Sequence, residues 1–292
     1  MTSLFLLPPQ VEEPESASVV QMSGTAGPVR SGEACGIWIG AHPLLGEQLA
    51  DALLQCALAD GLPGGRITAI KRQASKVAGT DMRADFLLAH EDGSQTLLEV
   101  KTVVDSDYDP NVHVAAAASL IKQESSEQKP KKQKKAKGKV MYFGPTTDGG
   151  GYQRAAIFPW GGGKQKGPRG EPVVSARAIK HLRELTAVAR GQKVLPLAVG
   201  DPSTTSAIEE TAGNDGRASK ATAPMLRAAV LFVVVRHDVT HFRPNTEACP
   251  SFASHLKEAH ESGVTLLARR IRWGEGGQVG QAFDDGELPI RI

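Results

Sequence analysis

Leu97-Leu98-Glu99-Val100-Lys101-Thr102-Val103-Val104 is an apolar run with one acid and one base set inside it, and its reading decides the fold. In a strand, side chains two apart share a face, so Glu99 and Lys101 point one way while Leu98 and Val100 point the other. Holding a carboxylate and an ammonium inside an apolar strand costs on the order of several kcal/mol per ion unless they are paired, hydrated or metal-bound. The strand therefore belongs to a sheet, and its two ions need a local reason.

A partner lies just upstream. Asp85-Phe86-Leu87-Leu88 is another apolar segment carrying one acid, and the polar turn Glu91-Asp92-Gly93-Ser94 joins the two. Strands over 83–89 and 96–104 thus form an antiparallel hairpin that brings Asp85 beside Glu99. Two adjacent carboxylates repel, and a divalent cation relieves the repulsion. Asp85 and Glu99, with a backbone carbonyl near Val100, would hold Mg²⁺ or Mn²⁺ through hard oxygen ligands. Lys101 would sit beside the attacking water and stabilise charge on a scissile phosphate. An acid followed by Glu-x-Lys on the adjoining strand is the PD-(D/E)xK pattern of restriction-endonuclease-like nucleases. The bare pattern is common by chance, and the alternative is an edge strand with a solvated Glu–Lys pair.

Outward from the hairpin, residues 36–39 read as a short strand and Pro43 opens a helix to about Leu54, with Leu45, Leu49, Ala52, Leu53 and Cys56 in one stripe. Residues 66–74 alternate as a strand. After the hairpin, 174–190 is a helix with Ile179, Leu182 and Leu185 on one side, and 193–199 begins a further strand. The continuous apolar run 228–235 suits a strand covered on both faces. Helix 250–262 stops at Gly263, and 264–273 is the final strand. The class is α/β, a mixed β-sheet with flanking helices.

Segments 1–34, 105–172 and 200–224 are rich in Gly, Pro, Ser, Lys and Ala and lack a sustained apolar period, so they are expected to lie outside the core. The remainder, 165 residues within 35–292, is the size of one well-buried domain. The net charge of +2 does not by itself call for a nucleic acid or a membrane. Cys35, Cys56 and Cys249 have no paired spacing, which argues against a disulfide framework or zinc ribbon and suits a reducing compartment. No apolar run approaches the roughly 18 residues needed to span a bilayer, and Leu4-Phe5-Leu6-Leu7 is too short for a signal segment, so the chain reads as soluble and intracellular.

Other polar features have two readings each. Seven lysines between 129 and 139 either bind phosphate or are a solvated insertion. Arg66, Lys71, Arg72 and Lys76 form a phosphate-tracking strand or an ordinary exposed edge. His181 faces a phosphate site or caps the core. Lys180 and Glu184 make at least a surface pair. His237, Asp238 and His241 read better as a polar turn than as a metal trio, and Gly161–Gly163 lacks the Gly-Lys-Ser/Thr of a phosphate loop.

Five segments in order resemble the sugar fermentation stimulation protein (SfsA) family: 82–88 (MRADFLL), 98–103 (LEVKTV), 178–185 (AIKHLREL), 228–238 with Phe242-Arg243-Pro244, and 259–268 (AHESGVTLLA). The resemblance covers about 35–292 outside the insertions, which look like those of a eukaryotic version. It implies a nuclease-like domain associated with DNA binding and sugar-metabolism regulation, with Asp85, Glu99 and Lys101 at the family's acidic and basic positions. Arg83, Lys180, His181 and Glu184 fall on its other polar motif positions. Of these, Arg83, Lys180 and His181, with Arg177, Arg66, Lys71 and Arg72, are the expected DNA contacts. Three departures stand out. The N-terminal OB-type barrel expected of the family has no counterpart before Cys35, Ala176 replaces an expected acid, and Gly40-Ala41 replaces Asn-Thr.

Overall fold

The computed structural model describes residues 4–6, 19–22, 29–30, 37–40, 42, 44–56, 58, 62–110, 142–145, 151–194 and 225–292. In chain order the elements are β1 (Leu4–Leu6), β2 (Val19–Met22), β3 (Val29–Arg30), β4 (Trp38–Ile39), α1 (Leu45–Gln55), β5 (Ile67–Ser75), β6 (Arg83–His90) and β7 (Gln95–Val103). There follow β8 (Ala155–Phe158), β9 (Gln165–Lys166), β10 (Pro172–Val173), α2 (Ala176–Ala189), β11 (Leu226–Val234), β12 (His241–Pro244), α3 (Pro250–Glu261), β13 (Thr265–Trp273) and β14 (Gln281–Glu287).

One mixed sheet of eight strands runs β1-β2-β14-β13-β11-β7-β6-β5. β11 pairs in parallel with both β7 and β13, while β5, β6 and β14 join antiparallel. β11 is buried on both faces because its β-branched and aromatic side chains leave nothing for water. One face, with Leu97, Val230, Phe232 and Val234, packs under α2 and α3. The other, with Phe86, Leu88, Leu98 and Leu231, packs on α1. The two packed faces share the strands that carry the candidate site.

The helices begin where the local chemistry allows. Ser175 caps α2, its hydroxyl accepting the Ala178 N–H at 3.3 Å. Pro250 occupies the first turn of α3, and Gly263 at φ +95 ends it. α1 starts at Leu45 and has no side-chain cap.

Several expectations change. Residues 264–273 are not the last strand: β14 follows, unseen in the sequence because its Asp284, Asp285 and Gly286 hide the alternation. β5 does not alternate cleanly, because its register with β6 shifts between Ile67 and Ala69. Residues 1–34 contribute β1, β2 and β3, with β1 and β2 extending the sheet beyond β14. Among the described residues no closed barrel forms.

The largest change concerns 105–172. β8 pairs in parallel with β12, and Ala155, Ala156 and Ile157 are buried. Fully buried Asp107 organises this unit, accepting the Tyr152 hydroxyl and the Ala155 N–H at 2.8 Å each and the Arg243 guanidinium at 3.2 Å. Composition concealed it because one strand of four residues sits among glycines. The lysine run 129–139 lies outside the described residues, as does 195–199 of the strand expected at 193–199; residues 193 and 194 are not in a strand.

Candidate functional site

β6 and β7 stay paired from Ala89–Gln95 to Phe86–Leu98 and then part, although β5 continues along β6 to Arg83 and β11 continues along β7 to Val103. The strands fork at Asp85. Its Oδ2 accepts the Val100 N–H at 2.7 Å, in place of a bond between the strands. The fork opens a cleft of about 300 Å³ whose walls include Glu47, Asp85, Glu99, Lys101, Ser175 and Arg177.

Glu99 sits at the inner end, only 3% exposed, opposite Val230 of β11. Its Oε1 takes two partners, the Lys101 ammonium and His181 Nδ1 at 2.5 Å. Its Oε2 is buried and has no hydrogen-bond partner. Burial alone would raise the Glu99 pKa, but His181 and Lys101 hold it below the ordinary carboxylate range. Asp85 goes the other way. Burial first, then the Glu99 charge, push its carboxyl up to about 6 against the Val100 N–H and Lys101, with Glu47 adding to the rise. A buried oxygen without a partner next to a carboxyl that resists ionisation is what a cation would relieve.

Among the described residues no three His, Cys, Asp or Glu side chains converge as a metal cluster. The donors that meet here are two carboxylates and the Val100 backbone. Hard oxygens in that number fit Mg²⁺, which keeps several waters and takes one or two protein carboxylates.

The structure brings Asp85, Glu99 and Lys101 together as the sequence implied. The surrounding bases are sorted differently. His181 is 5% exposed, and its ring is used on Glu99, so it is a support for the acid and not a nucleic-acid contact. It lies on the buried stripe of α2 between Ala178 and Leu185, which is why it cannot reach solvent. Arg177 is exposed on the cleft rim, and Arg83 is exposed where β6 begins. Lys180 pairs with Asp81 at 2.7 Å rather than with Glu184, whose Oε2 accepts the Asp81 N–H at 3.0 Å and the Lys193 ammonium. Lys71 lies opposite Leu87, near the fork, while Arg72 is tied to Asp51 at 2.6 Å. Arg66 precedes β5 at the end of the strand away from the fork, where its carbonyl accepts the Glu91 N–H at 3.0 Å, so it does not belong to the site. Asp238 pairs with Arg236 and Arg154, and His241 lies in β12.

Glu47 is the acid that the sequence did not single out. It stands in the first turn of α1, where an acid reads as a complement to the helix dipole. It reaches the cleft because Gly46 lies directly against Thr102. Its Oε2 accepts the Gln73 side-chain amide at 2.6 Å.

Residues 219–277 match a family described as the sugar fermentation stimulation protein RE domain. That stretch holds β11, β12, α3 and β13, and β11 is the strand against which the Glu99 strand is laid. A sugar fermentation stimulation protein homolog from Syntrophotalea carbinolica is 40% identical over 65 residues, covering 22% of this chain and 26% of that protein. The match therefore spans about a quarter of the relative's length. A solved structure of SfsA from Pyrococcus furiosus in complex with Ca²⁺ aligns with a TM-score of 0.48 at 17% identity, covering 99% of this chain and 78% of that one. No helix among the described residues is long and apolar enough to cross a membrane. Over residues 219–277 the chain is similar to the sugar fermentation stimulation protein family.

Proposed function

We propose that this protein binds DNA and that the forked cleft is a Mg²⁺-dependent site of the nuclease type, a phosphodiesterase in which Mn²⁺ can substitute. The observation that carries the reading is the partnerless, buried Oε2 of Glu99 in a cleft shared with Asp85. Those two carboxylates would hold the cation, which when bound supplies Lewis-acid polarisation of a phosphate.

The chain's own groups then have distinct tasks. His181 holds Glu99 through Oε1 and leaves Oε2 without a partner, available to a cation. Among the described residues Lys101 is the one ammonium lining the cleft, and it would donate to a phosphate oxygen or orient the attacking water as charge develops. Ser175 and Arg177, at the start of α2, present a helix N-terminus and a guanidinium on the opposite wall, both favourable to an anion. The experiment is incubation of duplex and single-stranded DNA with the intact protein and Mg²⁺. Cleavage that disappears in Lys101→Ala supports the reading; cleavage that persists unchanged in that variant excludes this site.

A second reading rests on the Lys101–Glu99 pair, which occupies both groups with each other. On it, the cleft is part of a non-catalytic DNA-binding module that regulates sugar metabolism. It predicts salt-sensitive retardation of DNA with no turnover in Mg²⁺ or Mn²⁺.

A further inference from the structure

We infer that the β9–β10 hairpin, residues 161–173, is a basic arm that grips the phosphodiester backbone of a nucleic acid beside the cleft. This deepens the reading of the cleft given above and rests on it for the identity of the polymer. The arm is the loop between two residues that line the cleft wall, Phe158 at the end of β8 and Ser175 at the cap of α2. Whatever lies in the cleft therefore passes by it.

The sequence of the arm is Gly161-Gly162-Gly163-Lys164-Gln165-Lys166-Gly167-Pro168-Arg169-Gly170-Glu171-Pro172-Val173. Its register pairs Lys166 with Pro172 and Gln165 with Val173. A two-stranded hairpin without an apolar face does not hold its shape alone in water. This one is fastened at its base. Val173 is fully buried in the core under α2 and α3. The Gly167 N–H donates to Glu171 O at 2.7 Å, closing the turn. Ser251 of α3 donates to Glu171 Oε1 at 2.7 Å, and the Ala176 N–H, in the first turn of α2, donates to Gln165 Oε1 at 2.8 Å. The arm is thus bonded to the same helix that places Ser175 and Arg177 at the cleft.

The charges of its two lysines are not used for folding. Because Gln165 faces α2, alternation along the extended backbone turns Lys164 and Lys166 away from the helix, to one side of the arm and about 7 Å apart. That is comparable with the interval between successive phosphates along a strand. Among the described residues neither lysine has an ion-pair partner, and both are exposed. Arg169 sits at the turn, exposed. The single acid, Glu171, is already engaged by Ser251 and by the Arg169 N–H at 2.8 Å. Cations with no ionic partner contribute little to stability, and a rigid row of them on a cleft rim suits a polyanion. A lipid surface fits less well, because none of the large exposed apolar side chains lies on the arm.

The test measures binding of a fluorescein-labelled 20-base-pair DNA duplex to the intact protein in EDTA over a range of KCl. Lys164→Ala/Lys166→Ala/Arg169→Ala is expected to weaken binding by about tenfold or more and to lower the slope of log K against log salt by about 2–3. Unchanged affinity and slope would overturn the arm, and so would a wild-type protein that ignores DNA while binding phosphatidylserine vesicles. A thermal melt matching wild type checks the fold, and the milder Lys164→Gln/Lys166→Gln covers a triple variant that does not fold. Hydrolysis of thymidine 5′-p-nitrophenyl phosphate with Mg²⁺ separates the two claims, since that substrate is too short to reach the arm. The triple variant should hydrolyse it as wild type does, whereas Lys101→Ala should not. Loss of DNA binding in the triple variant, with no hydrolysis by wild type, leaves the arm standing and removes the phosphodiesterase.

Discussion

At the scale of single residues, Glu99 and Asp85 have opposite electrostatic histories although they occupy one cleft. Glu99 is compensated by Lys101 and His181, while Asp85 has one backbone N–H and two acidic neighbours. Asp85→Asn keeps the acceptor for Val100 and removes the repulsion. It should therefore stabilise the metal-free protein by about 1 kcal/mol near pH 7, read as a higher urea midpoint. The sign follows from the raised pKa. The native state takes up a proton that the unfolded chain does not, so the cost of Asp85 is full above pH 6 and fades as pH falls toward 4. The variant's advantage should fade with it. His181→Ala leaves Glu99 buried with one partner fewer, and a loss of about 2–3 kcal/mol is expected in the same assay. The acid–acid–lysine trio was legible because a strand repeats every two residues and a tight polar turn fixes the register. His181 was legible as a motif position but not as a support. Its burial depends on which helix face meets the sheet, and Lys180 and Arg183 on either side masked that stripe.

At the scale of elements, the site exists because β6 leaves β7 while remaining on β5. No pattern in the apolar residues announces a fork, since Asp85 would look the same in a ladder that continued. The other half of the cleft comes from α1, laid so close to β7 that a Cβ on Gly46 would run into Thr102 Oγ1, with Thr102 Cβ at 3.0 Å. Gly46→Ala should consequently destabilise the protein by about 1–3 kcal/mol, as overpacking does. Thr102→Ala in the same chain should restore much of that loss in a thermal melt. This contact explains why Glu47 was missed: it is brought in by a helix whose approach is set by one glycine fifty-odd residues away from its strand partner. The β8 unit was missed for a related reason. It is organised around Asp107, a single buried acid that no periodicity records.

At the scale of the whole molecule, the order α1-β5-β6-β7-α2-β11-α3-β13 followed from apolar period, because these are long segments with one or two buried faces, whereas β8, β9, β10 and β12 between them did not. Nor did the edges. β14 is masked in the sequence by Asp284-Asp285-Gly286, and β1 and β2 are only three and four residues long. The unit 151–173 pairs with β12 through β8 in a separate two-stranded sheet, and Asp238 ties Arg154 of the unit to Arg236 just after β11. Burial would raise the Asp238 pKa, but the two guanidiniums hold it below the ordinary range. Its contribution is therefore present above that range and is lost as pH falls through the depressed value. Between pH 7 and pH 3, Asp238→Asn should lose less stability than wild type in urea unfolding.

The claim on which the rest depends is that the carboxylates of Asp85 and Glu99 share one divalent cation. Calorimetric titration of the intact protein with Mn²⁺, repeated on Asp85→Ala, tests it directly. One ion per chain in wild type, with the heat abolished in a variant whose thermal melt shows it folded, is the predicted result. Equal binding by both proteins, or none by wild type at millimolar Mn²⁺, would contradict it.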